Sequence, residues 1–144
     1  MTINQLSIFV ENKPGKLAEI TAILRDHDID IRALSIADTT HFGILRLIVD
    51  RPAEAEQALK DAGFTVSLTQ VIAIGVADKP GGLAQDLALL NEGSVSVEYM
   101  YAFLSREEKT AYVILRVDDN QKAIDVLREN GVAILTEAQI VSGI

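Results

Sequence analysis

Asn12-Lys13-Pro14-Gly15-Lys16-Leu17-Ala18 recurs as Asp78-Lys79-Pro80-Gly81-Gly82-Leu83-Ala84, 66 positions further along the chain. Downstream, Val49-Asp50 matches Val117-Asp118, and Asp61-Ala62-Gly63-Phe64 matches Glu129-Asn130-Gly131-Val132, now at a separation of 68. The chain is therefore a tandem duplication whose second copy carries two extra residues, expected at a hairpin tip near Ser105–Lys109. Self-similarity of this length makes each copy one structural unit, and residues 1–69 and 70–144 are expected to be the two domains.

Within each copy the periodicities set the order of elements. An alternating or apolar run, Leu6–Val10 and Val71–Val76, ends in the Pro-Gly turn and reads as a strand followed by a helix start, with Pro expected just inside the helix. Leu17, Ile20 and Leu24, like Leu83, Leu87 and Leu90, form one apolar stripe on that helix, and Gly93 reads as the stop in copy two. Two strand-like runs follow and should pair as hairpins, Asp30–Ala37 with Gly43–Val49 and Val95–Leu104 with Thr110–Val117. A second helix is expected over Pro52–Ala62 and Asn120–Asn130, stopped by Gly63 and Gly131, before a last strand from Thr65 and from Ala133. Each copy is thus β-α-β-β-α-β, and the fold class is α+β with two tandem ferredoxin-like domains, antiparallel sheets with helices on one face. Thr65–Ile74 joins the copies without a Gly/Ser/Pro-rich linker. Ile140 and Gly143 repeat the positions of Ile72 and Gly75, so a strand is expected to continue at the C-terminus as a spare edge for another chain.

Composition narrows the function. The 144 residues are 49% hydrophobic and 24% charged, a globular balance. Thirteen Lys and Arg against twenty-one Asp and Glu leave a net charge of −8, which repels nucleic acid. Cysteine is absent, which suits a reducing, cytoplasmic location. The apolar run Val71–Ala77 falls well short of the roughly 18–20 residues that span a bilayer, and Met1–Gln5 has no signal-peptide character. No membrane association is expected.

The repeated motif resembles the ACT domain, a regulatory module that usually binds amino acids, and the resemblance extends over nearly the whole chain as two repeats. The first repeat, from Val10-Glu11-Asn12-Lys13-Pro14-Gly15-Lys16-Leu17-Ala18-Glu19-Ile20 to the strand start at Asp30-Ile31, is especially similar to the leading ACT domain of the acetolactate synthase small subunit. It departs from that subunit in that a second ACT copy follows. The resemblance implies an amino-acid ligand, a homodimer and regulation of a separate metabolic enzyme.

Physical chemistry favours the same loops. A helix N-terminus offers unsatisfied N–H groups and partial positive charge to a carboxylate, and Gly15 and Gly81 permit close approach. An ammonium needs an acceptor, which Asn12 or Asp78 would supply, ionised Asp78 the more strongly. The candidate residues at the loops are Asn12, Pro14, Gly15 and Leu17, with Asp78, Pro80, Gly81, Gly82 and Leu83. To these the resemblance adds Asp30 with Ile31 and Ser96 with Val97, contributed from a neighbouring domain, so that binding changes how domains or subunits sit together. Pro-Gly before a helix is also ordinary turn and capping chemistry, and the same features fit a purely structural module. Lys13, Lys16 and Lys79 read as solvated surface.

Other chemistry is poorly supported. His27 and His41 lack evident partners for acid–base work, Glu107-Glu108 and Asp118-Asp119 sit in loops, and nucleotide-binding glycine patterns are missing. Asp26, Asp28 and Asp30 beside His27 read as solvated rather than as a metal site. No enzyme activity, cofactor or metal is expected. Tyr99 and Tyr101 are expected on one sheet face with Val97 and Phe103, lining a pocket or packing against a helix or partner chain.

Overall fold

The computed structural model describes residues 1–38, 41–103 and 108–142. They fall into two compact units, one of Asn4–Thr69 and one from Gln70 onward joined by Met1–Ile3. The first unit holds β1 (Ile3–Glu11), α1 (Lys16–Asp26), β2 (Ile31–Asp38), β3 (Phe42–Val49), α2 (Pro52–Asp61) and the start of β4 (Thr65–Ala77). The second holds the rest of β4, then α3 (Gly82–Glu92), β5 (Val97–Phe103), β6 (Thr110–Val117), α4 (Asn120–Glu129), β7 (Ala133–Ile134) and α5 (Glu137–Val141). Strand order is β2-β3-β1-β4 in the first and β5-β6-β4-β7 in the second. Both are the ferredoxin-like arrangement expected of a split βαβ repeat.

In the first unit Leu6, Ile8 and Val10 of β1 and Leu45, Leu47 and Val49 of β3 turn one face of the sheet toward Ile20 and Leu24 of α1 and Ala55 and Leu59 of α2. Both helices therefore cover the same face. Ile72, Ile74 and Val76, with Val113, Leu115 and Val117, do the same under α3 and α4. Each fully buried leucine or isoleucine contributes about 1.5–3 kcal/mol. Every buried member of the first core has an apolar counterpart in the second with one exception. Ile20, fully buried in α1, is replaced by Asp86 in α3.

Paired hairpin positions locate the two extra residues. Ala37 faces Ile44, and its counterpart Phe103 faces Tyr112, so the insertion lies between Phe103 and Thr110; Ser105, Arg106 and Glu107 of the expected tip lie outside the described residues. Asp50 Oδ1 accepts from the Asp30 N–H at 3.0 Å, and Asp118 Oδ1 from that of Ser96 at 3.0 Å. The duplicated Val-Asp pair is thus a clamp on the entry to each hairpin.

Several expectations need correction. The C-terminal chain leaves the sheet after Ile134 and forms α5, because Thr136 and Gln139 make a reciprocal capping box that starts a helix. Ile140 is buried as a helical residue, and Gly143 lies outside the described residues. Pro14 and Pro80 stand before the helices, whose N-caps are Gly15 and Gly81 with left-handed backbones at φ 85° and 86°. Neither helix receives a side-chain cap, so Asn12 and Asp78 do not cap. The left-handed turn after α3 is made by Ser94 at φ 58°, matching Asp28 at 56°. Gly93 does end α3 as its C-cap, with φ −80°, and it also serves packing, since a β-carbon there would lie 2.6 Å from Val126 Cγ2. Leu17 is 45% exposed and lies off the buried stripe. Finally, β5 carries a bulge between Val97 and Tyr99. Val97 therefore joins the helix-side core, whereas Tyr99, Tyr101 and Phe103 share the other face, Phe103 lying 5.3 Å from the ring of Tyr112.

The helix starts differ in one respect. Gly82 N–H donates to the Lys79 carbonyl at 3.0 Å, and a β-carbon on Gly82 would stand 2.0 Å from the Ala77 carbonyl oxygen, whereas one on Gly15 would meet open space. Gly15→Ala is expected to cost about 1–2 kcal/mol through its left-handed φ alone, and Gly82→Ala more, through a backbone clash. Urea denaturation of the two variants should rank them in that order.

Candidate functional site

The Pro-Gly loop of the first unit forms one wall of a concavity of about 230 Å³ lined by Asn12, Gly15, Leu17, Ala18, Ile36, Asp38, Phe42 and Gly43 among others. Asn12 is held there by its N–H donating to the His41 carbonyl at 3.2 Å, and the Asp78 N–H repeats this with Lys109 at 2.8 Å. These bonds dock each loop on the start of the following hairpin strand. The first intrahelical bond of α1 runs from Glu19 N–H to Gly15 O. The N–H groups of the preceding turn have no helix acceptor and no capping side chain. A carboxylate beside them is favoured by both hydrogen bonding and the helix dipole. The carboxylate-bearing Asp38 also lines the concavity, and Leu17, Ile36 and Phe42 give it an apolar lining.

The lysines near this mouth are engaged. Lys13 Nζ lies 2.8 Å from Glu11 Oε2; their hydrogen bond and mutual charge hold the Glu11 carboxyl below its ordinary range and the Lys13 ammonium above. Lys16 pairs with Glu19 at 3.6 Å and lies over the Phe64 ring. At the C-terminus of α1, Asp26 pairs with Arg25, Asp30 with Arg32, and His27 Nδ1 lies 2.9 Å from the Ile23 carbonyl.

The structure brings Asn12, Gly15 and Leu17 together in one concavity. Asp30 and Ile31 stand at the opposite end of β2 from Ile36, roughly 17–20 Å along the strand at the usual rise per residue, and so do not meet it within their own unit. Ser96 and Val97 occupy the matching end of β5. Gly82 lines a different and larger cleft. Sequence reading missed Ile36, Asp38, Phe42 and Gly43, because only the β2–β3 register carries the end of that hairpin beside the loop.

That larger cleft, about 430 Å³, is lined by Gly75, Ala77, Gly82, Gln85, Asp86, Tyr112, Asn130, Leu135 and Gln139 among others. Asp86 is only 8% exposed. Burial holds its carboxyl above the ordinary carboxylate value. Among the described residues that line the cleft, Tyr112 is the only other titratable one.

A model of the ACT domain pair matches residues 1–143. The chain belongs to the ACT domain pair family. No curated protein matches it in sequence. Among solved structures, protein BT0572 from Bacteroides thetaiotaomicron is 42% identical with a TM-score of 0.92, over 98% of this chain and 96% of that one. The ligand-free regulatory subunit of aspartate kinase from Thermus thermophilus is 16% identical with a TM-score of 0.65, over 90% of this chain and 94% of that one. The corresponding subunit from Thermus flavus is 15% identical with a TM-score of 0.59, over 88% and 92%. At such identities the two kinase subunits share the fold. The ACT pair is a regulatory domain family, and no helix among the described residues is long and apolar enough to cross a membrane.

Asp86 gives this ACT pair a testable pH signature. The native carboxyl holds its proton more tightly than the unfolded chain, whose pKa is near 3.8. Its contribution is therefore fully present below that pH and is lost as pH rises through the native value. Asp86→Asn is expected to melt higher than the parent at pH 7, with the difference shrinking toward zero as pH approaches 3.8. Calorimetry of both proteins across that range checks the sign.

Proposed function

We propose that this ACT pair is a non-catalytic, cytoplasmic regulatory protein that binds a free amino acid at its Pro-Gly loops and responds by changing its affinity for a partner polypeptide. The concavity built by Asn12, Gly15 and Leu17 against Ile36 and Asp38 carries the reading. Its uncapped helix N-terminus suits the ligand carboxylate, Asn12 and Asp38 suit the ammonium, and Leu17, Ile36 and Phe42 suit an apolar side chain. Pro14 fixes the approach of the loop. The equivalent loop of Asp78, Pro80, Gly81 and Leu83 is a second, non-equivalent candidate, its acceptor being an ionised carboxylate. Asp30, Ile31, Ser96 and Val97 enter as contacts donated by a second copy in a homodimer. The regulatory subunits of aspartate kinase, named for their attachment to an enzyme, make a metabolic-enzyme partner the natural one to seek. A second reading, a branched-chain sensor of acetolactate synthase, rests on the resemblance of the first repeat's Val10–Ile20 motif to that enzyme's small subunit and on the apolar lining.

Thermal denaturation with each of the twenty amino acids at millimolar concentration tests this. A ligand at 100 times its Kd stabilises by about 2.7 kcal/mol, which is a rise of roughly 5–11 °C for a chain of this size. One or a few apolar amino acids are expected to give it, and Asn12→Ala and Leu17→Asp to abolish it. If none does, the loops are structural. Co-purification with a large catalytic synthase subunit separates the second reading from the first.

A further inference from the structure

The Asp86 cleft has a counterpart in the first unit. There, Phe9, Glu11, Lys16, Glu19, Ala62, Gly63, Phe64 and Thr65 line a concavity of about 120 Å³. At the repeat offsets these become Gly75, Ala77, Gly82, Gln85, Asn130, Gly131, Val132 and Ala133, all of which line the second-unit cleft of about 430 Å³. The same place in the fold is thus filled in one copy and open in the other. Phe9 gives way to Gly75, Lys16 to Gly82 and Phe64 to Val132, and the Lys16 ammonium that lies over the Phe64 ring has no equivalent. The clearance comes with a change of chemistry, for Ile20, fully buried in the first core, is Asp86 in the second.

Asp86 is more than nine-tenths buried, and its carboxylate has no hydrogen bond or ion pair among the described residues. It is not sealed in protein, since it lines the open cleft. Tyr112, 2% exposed, also lines the cleft, and its hydroxyl makes no hydrogen bond among the described residues. Among the described residues, no lysine, arginine or histidine lines the cleft. The charged residues of the adjoining α4, Lys122, Asp125, Arg128 and Glu129, are not among its lining either. A buried carboxylate without a countercharge is costly. A cation entering the cleft would supply what the protein withholds. One carboxylate is a thin donor set for a hard metal ion, whereas Val76, Val132, Ala133 and Leu135 on the walls suit hydrocarbon.

We propose that the cleft between α3, the α4–β7 turn and α5 is a second ligand site, separate from the Pro-Gly loops, that binds a small organic amine with its ammonium on Asp86 and its carbon skeleton against the apolar wall. The site takes a cation with no accompanying carboxylate requirement, and its ligand class differs from that of the first-unit concavity. Burial, which raises the Asp86 carboxyl, makes amine binding strengthen as pH rises through its titration.

Isothermal titration of the whole protein with butylamine, benzylamine, putrescine and agmatine, against butanol and benzyl alcohol as neutral controls, tests the site. At least one amine is expected to bind and the alcohols not to. Asp86→Asn and Asp86→Ile, the latter restoring the first-unit residue, should weaken binding by about tenfold or more. Both should remain folded, since each removes a buried charge. Gly75→Phe, which refills the cleft as Phe9 does, should also abolish binding while keeping the carboxylate. Asn12→Ala and Asp78→Ala should each leave it unchanged, which separates this site from both loops of the proposed function. Absence of binding by every amine, or binding that survives both Asp86 variants, overturns the proposal.

Discussion

The left-handed backbone at Gly15 and Gly81 is the constraint on which each unit is built. At φ 85° and 86° it turns the chain from the end of a central strand into the first helix within a few residues. A residue with a β-carbon would carry a penalty there. Because the cap position is a glycine, the helix begins without a side-chain acceptor; the first N–H groups remain available in α1, whereas in α3 that of Gly82 is taken by the Lys79 carbonyl. The docking of the same loop on the hairpin, Asn12 to His41 and Asp78 to Lys109, brings the ends of β2 and β3 beside those groups. One backbone requirement therefore fixes the helix start, the loop position and the electrostatic character of the surface beside them.

Duplication preserved that frame while its fillings diverged. The core positions, the Asp50 and Asp118 clamps and the glycines after α2 and α4 recur in register. What changed is side-chain volume and charge at a few frame positions. Leu17 and Lys16 beside the first loop are matched by Leu83 and Gly82 beside the second, and the tighter turn at Gly82, closed by its bond to Lys79, leaves no room for a β-carbon. The repeats are alike as scaffolds and different as surfaces.

Much of the scaffold was legible in the sequence because repetition doubles each local signal. Strand, Pro-Gly turn and helix are ambiguous read once, but two copies in the same order constrain each other, and Gly63 and Gly131 stop their helices as turn chemistry requires. The misreadings are places where a local rule met tertiary geometry or where the repeat itself misled. The β5 bulge moves Val97 to the other face, which no alternation of residues reveals. Projecting the first junction onto the C-terminus predicted a strand, although Thr136 and Gln139 stand at capping-box spacing and start a helix. The helical stripe drew attention to Leu83, Leu87 and Leu90 and away from Asp86, whose place is defined by its match to Ile20. On the candidate site, the loop residues were visible as a motif, whereas Ile36, Asp38 and Phe42 join them only through hairpin register.

The contrast between Ile20 and Asp86 also bears on how the second unit holds together. An isoleucine at this position contributes to the core without condition, while a buried carboxylate subtracts from stability whenever it is ionised and uncompensated. The second core offsets part of that loss with Ile124, buried in α4 at a position where the first unit has Glu56, a half-buried residue paired with Lys60. The rest is left as an unmet electrostatic demand facing a cleft. That demand is concentrated at one atom pair, the carboxylate oxygens of Asp86. A molecule that satisfies it in the folded protein stabilises the second unit as it binds, so binding there and the stability of that unit are coupled.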